Sequence, residues 1–155
     1  MIVRKATPDD AKQIKILHTK TYKISYRNFI PDDYLDNLEI TEEKIQKLKT
    51  HIQESTYFVA TENEQILGFI NIGCNSLDTL EIYALYIDPD FQKQGIGSAL
   101  INTAIKENKN SNKCILWTMK YGPSLKFYEK HGFHPTSNEK MLKFDIPIIM
   151  LEKEI

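Results

Sequence analysis

Residues 80–100 read LEIYALYIDPDFQKQGIGSAL, and this stretch decides the fold. Residues 81–87 form an almost unbroken apolar and aromatic run, which is typical of a β-strand covered on both faces. Asp-Pro-Asp at residues 88–90 ends the strand, because proline has no N–H to donate and disfavours helix in the residue before it. Gly-Ile-Gly at residues 95–97 then precedes a helical pattern that starts at Ser98. Backbone N–H groups in such a turn, followed by a helix N-terminus, predict a site for a diphosphate.

The composition is that of a globular protein, with 155 residues of which 41% are apolar and 26% charged. This length predicts a single domain over residues 1–155, whose core needs no metal or disulfide. The net charge of −1 disfavours a nucleic-acid-binding protein, which needs a basic face to offset phosphates. Because the N-terminus has no apolar signal core and no run approaches membrane-spanning length, we expect a cytoplasmic protein that does not bind membranes.

The cysteines and histidines predict structural roles. Cys74 and Cys114 lie far apart in apolar runs without a CxxC motif, so we interpret both as buried, reduced thiols. No histidine has ligand spacing with a cysteine or carboxylate, so we predict no metal site. His18 and His51 are interpreted as surface or packing residues of their helices.

The order of helical and strand patterns predicts a mixed α/β protein. Helices are predicted at residues 7 to about 22–26, 32–35, 41–53, 98–105 and 124–130. Strands are predicted at residues 2–5, 57–60, 66–74, 81–87, 114–119, from 133 onward, and 146–151. We predict a turn at residues 138–140 and, because Pro147 lies in it, an edge strand at residues 146–151. Since an edge strand can pair between subunits, we expect a homodimer.

Residues 92–98 could belong to any of three kinds of glycine-rich phosphate loop. A P-loop requires a lysine between the last glycine and the serine, but here Ser98 follows Gly97 directly. A dinucleotide-binding loop requires a third small residue where Leu100 stands and an acidic residue about twenty positions further on, and neither is present. The remaining pattern is Gln-x-x-Gly-x-Gly, which starts at Gln92 and follows an apolar strand.

This pattern resembles the GNAT acetyltransferase superfamily. The matching segments are YALYIDPDFQKQGIGSAL at residues 83–100 and SLKFYEKHGF at residues 124–133, separated as in that family by a helix and a strand. The resemblance covers essentially the whole chain. It implies an acyl-CoA N-acyltransferase fold: a mixed, mostly antiparallel sheet of about six or seven strands, flanked by about four helices. In that fold the fourth and fifth strands splay apart in a V.

The resemblance implies an N-acetyltransferase that moves the acetyl group of acetyl-CoA to a primary amine by direct transfer in a ternary complex. The acceptor class is a small metabolite, a polyamine or a peptide amine. The alternative is a non-catalytic module that binds acyl-CoA on the same fold. A nucleotide-binding module is disfavoured by the missing lysine and the balanced charge.

The resemblance also implies which residues bind CoA. The pantetheine arm is expected along the backbone of Leu85, Tyr86 and Ile87. The pyrophosphate is expected on the amides of Lys93, Gln94, Gly95, Ile96, Gly97 and Ser98. Many members carry an asparagine that contacts pantetheine where this chain has Tyr121, so that contact is lost, supplied by backbone or replaced by aromatic packing.

Two residues are candidates for the chemistry. Tyr128 stands where the family often places the tyrosine that protonates the leaving thiolate; otherwise it is a half-buried aromatic of its helix. A phenol has a pKa of about 10, but a thiolate forming beside it can draw the proton. Glu81 acts as a general base through water, binds the amine electrostatically, or is solvated at the outer end of its strand. Tyr83 either lines the acceptor pocket or packs in the core.

The acceptor is expected to contact residues 22–35, the helix after them and a terminal hairpin near residues 138–143. Tyr22, Tyr26, Phe29 and Tyr34 would suit an amine of apolar or cationic character. Aromatics at helical spacing are, however, more often core residues.

Overall fold

The computed structural model describes residues 1–76 and 78–155. Its helices are α1 (Ala11–Ser25), α2 (Asp32–Asp36), α3 (Glu42–Glu54), α4 (Ile96–Lys106) and α5 (Leu125–Lys130). Its strands are β1 (Ile2–Lys5), β2 (Thr56–Glu62), β3 (Gln65–Ser76), β4 (Thr79–Ile87), β5 (Lys113–Met119), β6 (His134–Leu142) and β7 (Ile146–Glu154).

The strands form one mixed sheet in the order β1-β2-β3-β4-β5-β7-β6. β4 and β5 are parallel, whereas β1–β2, β2–β3, β5–β7 and β6–β7 are antiparallel. The predicted fold class is therefore confirmed, with five helices in the described ranges instead of about four. The register of β4 against β5 runs from the pair Thr79–Lys113 to the pair Ile82–Leu116, and both strands continue beyond it.

Local signals explain where the first helices begin. Pro8–Asp10 forms a short 3-10 turn before α1, and the Asp10 carboxylate accepts hydrogen bonds from the Thr7 N–H at 2.8 Å and from the Arg4 guanidinium. Thr41 caps α3 as predicted, because its hydroxyl oxygen accepts from the Lys44 N–H at 3.2 Å. In both contacts a side-chain oxygen accepts from a backbone N–H near the start of a helix, where the helix itself provides no acceptor.

The chain divides into two compact units. The first contains Met1–Ile72 and Ala84–Ala104. Its core is formed by side chains from α1, α3, β2 and β3: Ala11, Ile14, Leu17, Ile45, Ile52, Tyr57, Val59, Ile66 and Phe69. Because the apolar residues of α1 and α3 recur at helical spacing, one face of each helix is buried.

The second unit contains Gly73–Tyr83 and Ile105–Ile155. Its fully or nearly fully buried side chains include Leu80, Cys114, Leu116, Phe133 and Leu151. Each unit is described separately. The expectation of a single domain over residues 1–155 stays a prediction.

The predicted turn at residues 138–140 is wrong. β6 runs through these residues to Leu142, with an irregular register between Pro135 and Glu139. The chain reverses instead after Leu142, where Phe144 and Asp145 take left-handed backbone angles with φ of 63° and 57°. Polar residues that resembled a turn are therefore the exposed side chains of a strand.

The assignment of residues 146–151 to an edge strand is also wrong, because β7 lies between β5 and β6 and the edge strand is β6. Pro147 pairs with Met141 of β6, and its carbonyl accepts a hydrogen bond from the Lys120 N–H at 3.0 Å, just beyond the pair Met119–Ile148. Because proline has no N–H to return that bond, the β5–β7 ladder ends at this position. The homodimer stays a prediction, but this strand no longer supports it.

The two cysteine thiols differ in their exposure to solvent. Cys114 is buried as predicted, whereas Cys74 is exposed near the end of β3, and both are free. Burial raises the pKa of Cys114 to about 12. Among the described helices, none is long and apolar enough to cross a membrane.

Candidate active site

The glycine-rich loop lies between β4 and α4. Lys93 and Gly95 have positive φ values of 63° and 83°, which turn the backbone sharply before the helix. α4 then begins at Ile96, and the N–H of Ala99 donates to the carbonyl of Gly95 at 3.0 Å. Amides ahead of that bond lie at the N-terminus of an 11-residue helix, where the backbone carries partial positive charge. A Cβ added at Gly95 would meet no described atom within 4 Å, so the space beside it is open.

Gly68 of β3 allows the elements around this loop to approach closely. A Cβ at Gly68 would lie 2.8 Å from Cδ1 of Ile87, 3.0 Å from the backbone oxygen of Tyr86 and 3.1 Å from Cγ2 of Ile96. These atoms belong to the end of β4 and to the first residue of α4. The missing side chain therefore lets β4 and α4 pack directly against β3.

A small ion network holds the turn that precedes the loop. The Lys20 ammonium of α1 contacts Oδ1 of Asp88 at 3.0 Å and Oδ2 of Asp90 at 3.1 Å. Asp88 also accepts from the N–H of Asp90 at 3.0 Å, and its own N–H donates to the Leu67 carbonyl at 2.8 Å. The hydrogen bonds to the two carboxylates raise the pKa of Lys20. The first helix is thus tied to the entrance of the glycine-rich loop.

Leu85, Tyr86 and Ile87 lie half-buried at the end of β4. The Tyr86 ring stacks on Phe69, with centroids 5.6 Å apart, and lies 4.7 Å from the His18 ring. His18 is therefore a packing residue, and burial, with a smaller effect of Lys15, lowers its pKa to about 4. The Tyr86 ring therefore packs against the side chains of Phe69 and His18.

Tyr128 is fixed by the end of its helix. The N–H of Phe133 donates to the Tyr128 carbonyl at 3.1 Å, and the N–H of Gly132 donates to the Glu129 carbonyl at 3.0 Å. With Gly132 at a φ of 87°, this is the Schellman arrangement predicted by the glycine. The Tyr128 side chain is only 8% exposed, and its ring meets the Phe133 ring edge-on at 5.9 Å.

Glu81 is half-buried near the start of β4, where Oε1 accepts a hydrogen bond from Nδ2 of Asn75 at 2.9 Å. Tyr83 is 52% exposed, which excludes the core role. Its ring covers Gly73, because a Cβ there would lie 2.7 Å from Cε2 of Tyr83. Partial burial, with a smaller effect of the nearby Glu81 carboxylate, raises the pKa of Tyr83, which keeps the phenol protonated.

Tyr121 projects into solvent. Its side chain is 75% exposed, and Nζ of Lys120 lies 5.6 Å from its ring centroid. One alternative for this position is that aromatic packing of Tyr121 replaces the asparagine contact. So exposed a ring does not support that alternative.

Part of the predicted aromatic wall on the acceptor side is a contiguous cluster. The rings of Tyr22, in α1, and Tyr26, directly after α1, have centroids 4.4 Å apart. Phe29 and Tyr34 follow on the connection to α2 and in α2 itself, and are 40% and 38% exposed. Burial raises the pKa of Tyr26, so its hydroxyl is uncharged.

The structure brings together the nine predicted CoA-binding residues, which all lie in the first unit. Tyr128 and Glu81 both lie in the second. The roles of all eleven stay predictions. Sequence reasoning did not identify Lys20 or Asn75, whose contacts give no local pattern. No group of three potential metal ligands occurs among the described residues, and the absence of a metal stays a prediction.

Comparison with known proteins identifies related sequences and folds. A profile of the acetyltransferase (GNAT) domain matches residues 53–135. An uncharacterized N-acetyltransferase of Bacillus subtilis is 27% identical over 136 residues, covering 84% of this chain and 78% of the relative. One of Methanocaldococcus jannaschii is 31% identical over 140 residues, covering 84% of this chain but 59% of the relative. The crystal structure of the PaiA N-acetyltransferase from Thermoplasma acidophilum in complex with coenzyme A has a TM-score of 0.85 at 21% identity, covering 99% and 98% of the two chains.

Proposed function

Because this chain belongs to the GNAT family and is an acyltransferase, we propose that it transfers the acetyl group of acetyl-CoA to a primary amine in a ternary complex. The observation that carries the proposal is the loop between β4 and α4, where left-handed turns at Lys93 and Gly95 precede a helix N-terminus beside open space. A diphosphate is the ligand that suits this geometry. The similar PaiA protein contains coenzyme A, which supports the same ligand here.

In the proposed complex the pyrophosphate accepts hydrogen bonds from the amides of residues 93–98. The pantetheine arm lies along residues 85–87 and bonds to their backbone as an added strand does. A ligand that contacts backbone places little demand on side chains.

The overall reaction is R–NH3⁺ + CH3CO–S–CoA → R–NH–COCH3 + CoA–SH + H⁺. The ammonium first loses a proton, because only the neutral nitrogen has a lone pair for attack on the thioester carbonyl. As the C–N bond forms and the C–S bond breaks, nitrogen loses its second proton and sulfur gains one. We assign acceptance of the first nitrogen proton to Glu81, directly or through water; Glu81 releases it to solvent before it accepts the second, which it also passes to solvent. Donation to sulfur is assigned to Tyr128, which regains its proton from solvent.

The acceptor is an amine whose body suits aromatic contact. The Tyr22–Tyr26 pair with Phe29 and Tyr34 offers uncharged, partly exposed rings, on which an apolar or cationic group can pack. A polyamine or an amine with an aromatic body meets this description. The exposed β6 strand is a second candidate contact for the acceptor.

The proposal is tested by measuring thiol release from acetyl-CoA by the purified chain with four classes of primary amine: polyamines, aromatic monoamines, peptides with a free N-terminus and lysine peptides. We expect release above the amine-free blank with at least one class, and an acetylated product by mass spectrometry. Acetyl-CoA binding without release from any class would favour the non-catalytic module. Absence of both binding and release would overturn the proposal.

A further inference from the structure

A neutral amide restrains the carboxylate that we assign as the base. Asn75 lies near the end of β3 and Glu81 near the start of β4, and Nδ2 of Asn75 donates to Oε1 of Glu81 at 2.9 Å. The two residues are six positions apart and belong to the same unit. The contact therefore joins adjacent strands of one compact body.

The charge of Glu81 is not neutralised by an ion pair within the described part of the chain. None of the ion pairs formed among residues 1–76 and 78–155 includes Glu81. Its negative charge instead adds to the effects of burial that raise the pKa values of Tyr83 and Cys114. Tyr83 follows on the same face of β4 at the alternate position. The hydrogen-bond partner of the Glu81 carboxylate is the neutral amide of Asn75.

We infer that Asn75 is the positioning residue of Glu81: its amide holds Oε1 at the end of β3, so that Oε2 is the oxygen that receives a proton from the amine. This inference rests on the proposed function and deepens it, because it assigns a further residue to the proton-transfer step. Asn75 itself touches neither substrate.

Geometry explains why such a restraint affects rate. A general base has to lie within about 2.6–3.2 Å of the proton donor, or one water away from it. A glutamate side chain turns about three bonds, and Glu81 is only half-buried, so packing alone does not fix its carboxylate. A misplacement of about 1 Å can reduce the rate of an oriented reaction about a hundredfold. The hydrogen bond from Asn75 limits that movement without neutralising the charge.

The test compares Asn75→Leu and Asn75→Asp with the unaltered chain, using the amine found active in the panel. Leucine removes the donor at similar volume. Aspartate keeps the shape but places a second carboxylate against Glu81. Ser76→Ala is the matched control, because the neighbouring Ser76 hydroxyl contacts Asp78 at 3.1 Å instead of Glu81. Each substitution is also made in a Glu81→Gln background, and CoA affinity and melting temperature are measured for every variant.

We expect Asn75→Leu to lower kcat about tenfold or more, as loss of a hydrogen bond to a charged group does, with CoA affinity unchanged. Asn75→Asp should lower kcat further, and Ser76→Ala should change it less than about twofold. In the Glu81→Gln background, Asn75→Leu should change kcat less than about twofold, because the group through which it acts is gone. Wild-type kcat in both Asn75 variants, or an equal loss with and without Glu81, would overturn the inference. Failure of the unaltered chain to release thiol would instead overturn the proposed function.

Discussion

Replacing Gly95 with alanine should affect two measurable quantities to different extents: the stability of the fold, through strain in a left-handed backbone, and the affinity for CoA, through a methyl group that blocks the ligand. Gly95 has a φ of 83°, and an added Cβ would meet no described atom within 4 Å. The substitution therefore introduces no clash, and its effect on stability is the strain of a side chain in the left-handed region, about 1–2 kcal/mol. For a chain of this size each kcal/mol lowers Tm by about 2–4 °C.

The effect on CoA should exceed the effect on stability. A phosphate oxygen hydrogen-bonded to a backbone N–H lies about 2.9 Å from the nitrogen. A methyl group in the open space beside Gly95 keeps the pyrophosphate from approaching that closely. We expect Gly95→Ala to weaken CoA binding at least about tenfold, equivalent to about 1.4 kcal/mol.

Gly132→Ala is the matched control for the backbone. Gly132 has a nearly equal φ of 87°, and a Cβ there would lie 3.4 Å from Cε of Lys153, an ordinary contact. It should lower Tm by a similar amount and leave CoA affinity unchanged. Calorimetric titration with CoA and thermal melts of both variants make the comparison. If Gly95→Ala binds CoA as tightly as Gly132→Ala does, the pyrophosphate does not lie over Gly95.

Three further outcomes are expected. Tyr128→Phe should lower kcat about a hundredfold or more while CoA affinity stays unchanged; an unaltered kcat would remove the tyrosine from the mechanism. Lys20→Met leaves its two aspartate partners uncompensated, so CoA should bind more weakly in titrations, and less so at high salt; Lys12→Met, an exposed lysine on the same helix, is the control, and equal binding by both variants would refute the role. His18, with its pKa lowered to about 4, is protonated first in the unfolded chain, so its contribution of about 3 kcal/mol is present above pH about 6.5 and is lost as the pH falls to about 4. Tm should fall less over this range in His18→Leu, and an NMR titration midpoint near 6.5 in the folded chain would contradict the lowered pKa.

The features that could be predicted from sequence depend on neighbours within a few positions. The cap at Thr41 and the helix end at Gly132 follow from one hydrogen bond and one backbone angle, each specified by the residue itself. The strand, turn and helix of residues 80–106 are likewise a series of local signals. The structure confirms these elements, although α4 starts two residues earlier and ends one residue later than the pattern predicts.

The errors concern relations between distant segments. Residues 138–140 have the composition of a turn, but pairing with β7 keeps them in a strand, while the true reversal uses Phe144, a residue with no preference for left-handed angles. Pro147 suggested an edge strand because the sequence does not reveal which neighbour each peptide group faces. Lys20 and Asp88 are 68 positions apart, and only the folded chain shows that they meet.

The close approach at Gly68 has a consequence for how fast the cofactor is captured. Because β3, β4 and the first residue of α4 are already in contact there, the loop is shaped before a ligand arrives. Binding then requires little ordering of the chain and loses little conformational entropy. Association of CoA should accordingly proceed in one kinetic phase, without a slow rearrangement. Substitutions around the loop should alter the dissociation rate constant of CoA more than its association rate constant.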